Sequence, residues 1–117
     1  VLRYDTTKEF QSVDAWSTFD TVENGVGDNV REFYGGGYDE RFVYFSPFHR
    51  DERDAEVLRY DTTKEFQSVD AWSTANIGEI GNGFSDIIFD GDSIYIIPIS
   101  NQAHPFGTFV KFQTIKE

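Results

Sequence analysis

The sequence predicts an all-β protein made of repeated sheets, and three observations lead to that prediction. Val1–Thr18, which reads VLRYDTTKEFQSVDAWST, recurs letter for letter at Val57–Thr74, so the chain is a repeat array. Aromatic residues make up 17% of the chain, its aliphatic residues are rich in Val and Ile, and it has no Met; this composition favours strands over helices. Turn-forming dipeptides separate the short apolar runs, as expected of short strands joined by turns.

The first copy of the repeated segment predicts two short strands. Val1–Asp5 alternates like a strand, the polar run Thr6–Glu9 reads as a turn, and Ala15–Phe19 forms the second strand. Asn24-Gly25 and Gly27-Asp28 then mark turns.

A full repeat of four strands follows. Gly35–Gly37 would weaken the first of them unless backbones approach closely there. The second is a near-continuous apolar run, as for a strand covered on both faces. A charged loop, His49–Glu56, precedes the second copy of the repeated segment. The four predicted strands are A (Phe33–Tyr38), B (Phe42–Phe48), C (Val57–Asp61) and D (Ala71–Asn76).

The remainder of the chain repeats the first three of these strands. Gly83–Phe89 corresponds to strand A and Ser93–Ile99 to strand B, with Tyr95 matching Tyr44. Between them, Asp90-Gly91-Asp92 is a strong hairpin signal. Thr108–Gln113 corresponds to strand C, so the chain reads C-D, A-B-C-D, A-B-C.

Four short strands in roughly fifty residues is the period of a β-propeller blade. The predicted units are a half blade at 1–21, a complete blade at 30–77 and a partial blade at 83–115. A closed propeller holds about four to eight blades, and a lone sheet cannot bury both faces. We therefore expect two blades' worth of chain to be completed by oligomerisation, as a ring of two to four copies closed by swapped strands. Both ends supply a C strand, Val1–Asp5 and Thr108–Gln113, and the sequence leaves open whether these two compete or swap.

At Tyr44, Tyr60-Asp61 and Trp72 the chain resembles kelch-type β-propeller repeats. The phrases FVYFSP, VLRYDTT and AWST are more similar to bacterial propeller repeats of the RYDT…W kind. Ser46-Pro47 stands where kelch repeats have Gly-Gly. The resemblance implies propeller blades and, from kelch relatives, binding of protein partners; other propellers bind sugars. The residues to which we assign a structural role in the blades are Gly35, Gly36, Gly37, Tyr44, Tyr60, Trp16, Trp72 and Tyr95.

The identity of the two 18-residue copies extends to residues that packing does not dictate, such as Lys8 and Lys64. Either the duplication is recent or the chain is an engineered or truncated fragment. The start at Val1, without a signal-peptide pattern, favours a fragment. In that case the chain has no selected ligand.

Charge and composition exclude several classes of partner. The formal net charge is −11, and nucleic-acid affinity depends on Lys and Arg neutralising phosphates, so we expect no nucleic-acid partner. Anionic membrane surfaces are disfavoured for the same reason, and no apolar run is long enough to span a bilayer. There is no Cys, which excludes disulfides and thiolate zinc sites. We expect no cofactor, and the compartment is not indicated.

Two predicted B–C loops carry the candidate ligand-binding residues, on the same face of the predicted ring. These residues are His49, Arg50, Asn101, Gln102 and His104. Their mixture of donors and acceptors suits a carbohydrate or protein ligand, although it is also ordinary loop composition. Two histidines without a fixed spacing do not predict a metal site. Asp90-Gly91-Asp92 is not a calcium loop, because Asn101 stands where the twelfth-position Glu is needed.

No motif commits the chain to an enzymatic reaction. It has no Gly-x-Gly-x-x-Gly, P-loop or Gly-x-Ser-x-Gly pattern, and we predict no catalytic residue. Our first interpretation is a non-enzymatic, self-assembling propeller module with a loop-built recognition face. The alternative is a propeller hydrolase or lyase whose carboxylates converge on ring closure; Asp86 is the only acidic residue expected on an A strand.

Overall fold

The computed structural model describes residues 1–27, 33–47, 56–77, 84–98 and 109–114. The all-β prediction is confirmed: the described residues form three antiparallel sheets of two, four and three strands. The strands are β1 (Leu2–Tyr4), β2 (Trp16–Thr18), β3 (Phe33–Tyr38), β4 (Phe42–Pro47), β5 (Glu56–Asp61), β6 (Trp72–Asn76), β7 (Phe84–Phe89), β8 (Ser93–Pro98) and β9 (Val110–Gln113).

Each sheet is a meander in chain order. The first sheet is β1-β2, the second is β3-β4-β5-β6 and the third is β7-β8-β9. Short 3₁₀ helices at Val13–Ala15 and Val69–Ala71 lead into β2 and β6. Ala71 therefore belongs to a helical turn, and strand D begins one residue later than the sequence predicts.

The two copies of the repeated segment pair their strands in the same way. In the first sheet Arg3 lies opposite Ser17, and in the second Arg59 lies opposite Ser73. Side chains alternate between the faces of a strand, so one shared register places equivalent residues on equivalent faces.

The second sheet lies between the other two, and its strand β5 is covered on both faces. Leu58 and Tyr60 lie on one face of β5, in a cluster that includes Phe19 from the segment after β2. Val57, one residue before Leu58, faces the opposite way into a cluster with residues of the third sheet, such as Ile94. This alternation along β5 explains why all of its residues except the half-buried Arg59 are buried: one face of the strand packs toward the first sheet and the other toward the third.

The glycines of β3 lie where the second and third sheets come closest. A Cβ atom at Gly37 would stand 2.8 Å from Cγ2 of Ile87. At Gly35, whose φ is 82°, a Cβ atom would stand 2.8 Å from the carbonyl oxygen of Ser85. Gly35 lies against Ser85 and Gly37 against Ile87, so β3 and β7 run in the same direction. A side chain at either glycine would collide with β7, so only glycine permits this close approach.

Among the described residues the three sheets do not close into a ring. No helix in those parts of the chain has the length and apolar character needed to cross a membrane.

Candidate functional site

Both copies of the repeated segment build the same turn. Asp61 Oδ1 accepts hydrogen bonds from the backbone N of Thr63 at 3.0 Å and from its Oγ1 at 2.7 Å. Asp5 Oδ1 accepts the matching bonds from Thr7, at 2.9 and 2.6 Å. These local bonds turn the chain after β1 and β5, and they lower the pKa of the Asp5 carboxyl, the Thr7 hydroxyl being the largest cause.

Each copy also builds an aromatic cluster on one face of its hairpin. Trp72 Nε1 donates to the carbonyl oxygen of Phe66 at 2.8 Å, and the indole stacks on Tyr60 with ring centroids 4.8 Å apart. Phe66 meets the same tyrosine edge to face at 5.5 Å. The first copy reproduces these contacts to within 0.3 Å. Its three rings are Tyr4, Phe10 and Trp16.

The two clusters differ in what covers them. Leu58 is fully buried, whereas its counterpart Leu2 is 63% exposed; Phe66 is 4% exposed and its counterpart Phe10 is 65% exposed. In the second sheet β4 pairs with β5, and Phe19 stacks on Trp72 at 4.8 Å with nearly parallel rings. The described residues supply neither neighbour to the first copy. We call its uncovered set, Leu2, Tyr4, Phe10 and Trp16, the head surface.

A groove of about 420 Å³ lies between the second and third sheets. Its walls include Val57 and Ile77 on one side and Val110 and Phe112 on the other. Ala75 also lines it, and this residue follows the second copy at the position that Phe19 holds after the first. Between the first and second sheets, the stacked ring of Phe19 fills this position. Between the second and third sheets, Ala75 takes its place and leaves an opening.

A wider cleft of about 850 Å³ lies on the other side of the second sheet. It is bordered by Val1, Leu2, Phe33 and Phe45. Phe33 and Phe45 belong to β3 and β4, which correspond to the predicted strands A and B; we call strands at these two positions the inner strands and those at positions C and D the outer strands. The first sheet has no inner strands among the described residues, so nothing from it covers this part of the second sheet.

The turns between inner strands differ in charge. Arg41 Nη2 lies 3.1 Å from Asp61 Oδ2, and this partner is the largest cause of the low pKa of the Asp61 carboxyl. In the third sheet Asp92 stands at the position of Arg41, and Gln113 at the position of Asp61. Gln113 of β9 therefore places a neutral amide near Asp92, where Asp61 of β5 places a carboxylate near Arg41.

Asp90 confirms the hairpin turn predicted between β7 and β8. Its Oδ1 accepts hydrogen bonds from the backbone N of Asp92 and of Ser93, and its Oδ2 accepts one from the Tyr95 hydroxyl at 2.8 Å. The Ser93 amide is the largest cause of the lowering of the Asp90 pKa to about 2. These bonds give the carboxylate a structural role in the turn.

The five predicted ligand-binding residues all lie outside the described parts of the chain. They are His49, Arg50, Asn101, Gln102 and His104. The strands that lead into these two loops end at Pro47 and Pro98, at the same end of the two sheets. Asp86 lies on β7 as expected and is exposed. Among the described residues no group of three or more His, Cys, Asp or Glu could hold a metal ion.

Sequence reasoning missed the head surface as a site. Its residues have the same letters as buried ones, so composition carries no signal of their exposure. Strand counting carries one: the sequence predicts strands C and D in the first unit without A and B, and B is the strand that would pair with β1, as β4 pairs with β5. Comparison of the chain with protein-family models, with curated proteins and with solved structures found no match.

Proposed function

We infer that this chain is a non-enzymatic β-propeller module whose activity is assembly with its own copies. The observation that carries the proposal is the unequal covering of its sheets. The second sheet, with a neighbour on either side, buries Leu58 and Tyr44, which are 0% and 3% exposed. In the described parts of the chain the first and third sheets have one neighbouring sheet each, and they leave large apolar side chains in solvent, among them Leu2 and Phe109, which are 63% and 64% exposed.

Assembly is favoured by the hydrophobic effect acting on those side chains. Burial of apolar surface contributes about 25 cal/mol for each Å² removed from water, and exposed apolar patches on soluble chains mark interaction sites. The charge of −11 opposes association. Salt screens that repulsion, so assembly is expected to strengthen as ionic strength rises.

A recognition role for carbohydrate or protein ligands is the second part of the proposal. It rests on the loop residues His49, Arg50, Asn101, Gln102 and His104. In an assembled ring these loops would be repeated on one face and bind a ligand with several copies at once.

The test is the mass of the full chain in solution. Light scattering and native mass spectrometry over a range of concentrations should give a discrete particle of two to four times 13.4 kDa. A compact particle of 13.4 kDa at every concentration would overturn the proposal. Glycan-array and peptide-array binding by the assembled particle then tests the recognition role, and silence on both arrays counts against that second part alone.

A further inference from the structure

We propose that the β1–β2 hairpin of one copy inserts into the third sheet of a second copy, where it pairs with β8 in place of β9. The proposal rests on the assembly proposed above and identifies its contact. One particle then contains composite sheets, each with two inner strands from one chain and two outer strands from another.

The chain itself contains the pattern for this contact. Most of β5 and β6 lies within Val57–Thr74, the copy of the segment that contains β1 and β2, and these strands pair with β3 and β4 to make a four-stranded sheet. β7 and β8 are the counterparts of β3 and β4, and β9 is a third strand without a fourth among the described residues. The hairpin of a second copy would supply both outer strands already paired in the required register.

The proposed exchange accounts for the groove and the cleft that border the second sheet. The hairpin's aromatic cluster would face the second sheet of the receiving chain, replacing Val110 and Phe112 in the groove of about 420 Å³. The donating chain's cleft of about 850 Å³ beside Leu2 would receive β7 and β8 of the other copy. Hence the head surface and the cleft are covered in one step.

The central sheet also predicts the register of the contact. Tyr44 lies opposite Arg59, and Tyr95 corresponds to Tyr44 as Arg3 corresponds to Arg59. Tyr95 of one copy should therefore lie opposite Arg3 of the other. In the isolated chain Tyr95 lies opposite Lys111 of β9 instead.

One pair of charges opposes the exchange. In the composite sheet Asp5 would stand beside Asp92, because Asp61 stands beside Arg41 in the second sheet. Two carboxylates as close as the Arg41–Asp61 pair, which is separated by 3.1 Å, would repel each other. In β9 the neutral Gln113 stands at the position that Asp5 would take. The structure thus has a native third strand that competes with the swapped one, and position 92 sets the balance between them.

The first experiment changes this balance. Asp92→Arg should tighten the dissociation constant of the particle several-fold, because Arg at this position can pair with Asp5 of the other copy as Arg41 pairs with Asp61. Glu9→Arg is the matched charge control, since Glu9 and its counterpart Glu65 are both exposed. Adding Asp5→Asn to the Asp92→Arg chain should remove the gain. An equal gain in the control, or a gain that survives Asp5→Asn, overturns the proposal.

The second experiment tests the head surface without disturbing the isolated chain. Leu2→Asp places a charge where Leu2 is exposed now but fully buried after exchange, as Leu58 is, so the dissociation constant should rise by roughly a hundredfold or more. Val13→Asp is the control. Val13 is 86% exposed and its counterpart Val69 stays 49% exposed in the covered copy, so this variant should assemble as the parent does.

Cross-linking establishes the register directly, because the chain has no Cys. A chain with Arg3→Cys mixed with a chain with Tyr95→Cys should form a disulfide between copies on mild oxidation. A chain with Val13→Cys mixed with the Tyr95→Cys chain should not. If the parent assembles but the Arg3 and Tyr95 positions do not cross-link, or Leu2→Asp assembles normally, the exchange is wrong while the proposed function stands. A parent that stays monomeric overturns both.

Discussion

The chain holds two copies of one 18-residue segment, Val1–Thr18 and Val57–Thr74, in different surroundings. Comparing them separates what the segment determines from what its neighbours determine. Their strand register, turn bonds and ring contacts are the same. Their burial is opposite, with Leu2 63% exposed and Leu58 fully buried. The segment therefore sets its own local structure, and the neighbouring strands determine how much of it leaves water.

The different burial of the two copies also separates the contribution of local hydrogen bonds to stability from that of apolar burial. Hydrogen bonds within the hairpin contribute only about 0.5–1.5 kcal/mol each, and a lone two-stranded hairpin is marginal in water. Burial of the aromatic cluster against a second sheet contributes several times more. We expect the first copy to depend on its local bonds and on Phe19, and the second copy to depend on its packing.

The largest effect expected from this comparison is at the paired phenylalanines. Phe66→Ala should lower the free energy of unfolding by about 3–5 kcal/mol, the range for a buried Phe. Phe10→Ala should cost about 1 kcal/mol in the monomeric chain, since Phe10 is 65% exposed and its ring contacts within the described residues are with Tyr4 and Trp16. Urea unfolding of each variant at low concentration measures both. Equal losses would mean that Phe10 is covered in the monomer.

Concentration provides the control for that measurement. In the proposed composite sheet Phe10 takes the position that Phe66 holds in the second sheet, with Ala75 of the receiving chain in place of Phe19, so the cost of Phe10→Ala should rise toward that of Phe66→Ala once the particle forms. A cost that does not change with concentration would show that assembly leaves the head surface in solvent.

A smaller difference is expected at the paired aspartates. Arg41 and Thr63 hold the pKa of Asp61 below its ordinary value of 3.8. A carboxyl whose pKa is lower in the folded chain stabilises the fold above its unfolded pKa, and that contribution is lost as the pH falls through the folded value. Asp61→Asn should therefore cost about 1–2 kcal/mol at pH 7 and progressively less below pH 3.8.

Asp5→Asn is the matched variant, because Asp5 makes the same bonds to Thr7 and has no Arg41 counterpart among the described residues. Its cost at pH 7 should be the smaller of the two, and thermal unfolding from pH 2 to pH 7 compares them. An Asp61→Asn chain as sensitive to acid as the parent would contradict the assigned role of the ion pair.

The sequence predicts local features of this chain well, and features set by neighbours poorly. The repeat period and the apolar runs placed strands A to D, because alternation and turn residues act within a few positions. The 3₁₀ turn at Val69–Ala71 was missed, because Val and Ala before a Trp also fit a strand. The unequal burial of Phe10 and Phe66 could not come from identical letters; it depends on strands distant in sequence. The predicted ligand loops lie outside the described residues, so their role stays a prediction.

The tyrosines that close the inner turns extend the comparison to the other face of the sheets. Tyr44 donates to Asp39 at 2.8 Å and is 3% exposed, and burial is the largest cause of the rise of its pKa to about 12. A tyrosine with a raised pKa stabilises the fold fully below pH 10 and loses that contribution as the pH rises toward 12. Tyr44→Phe should cost about 1 kcal/mol at pH 7.

Tyr95 is the counterpart on the third sheet, where no fourth sheet covers it in the described chain. It makes the matching bond to Asp90 at 2.8 Å and is less buried, so Tyr95→Phe should cost less than Tyr44→Phe. Absorbance titration of the two variants against the parent assigns the phenolate transitions. If the group lost in Tyr44→Phe ionises near pH 10, the covering of that face by the third sheet is wrong.

The smallest effect should also be the most nearly equal between the copies. Thr7→Val and Thr63→Val each remove one hydroxyl bond to the preceding aspartate, of 2.6 and 2.7 Å, and both threonines are exposed. Water can replace an exposed bond, so each loss should be a few tenths of a kcal/mol, below the range of about 0.5–1.5 kcal/mol for a typical bond. Amide hydrogen exchange within each hairpin, compared with the parent, measures the two losses separately. Because the turn bonds are local, the change in protection should match between the copies; a clearly larger change in the buried copy would mean that packing, rather than the segment itself, holds the turn.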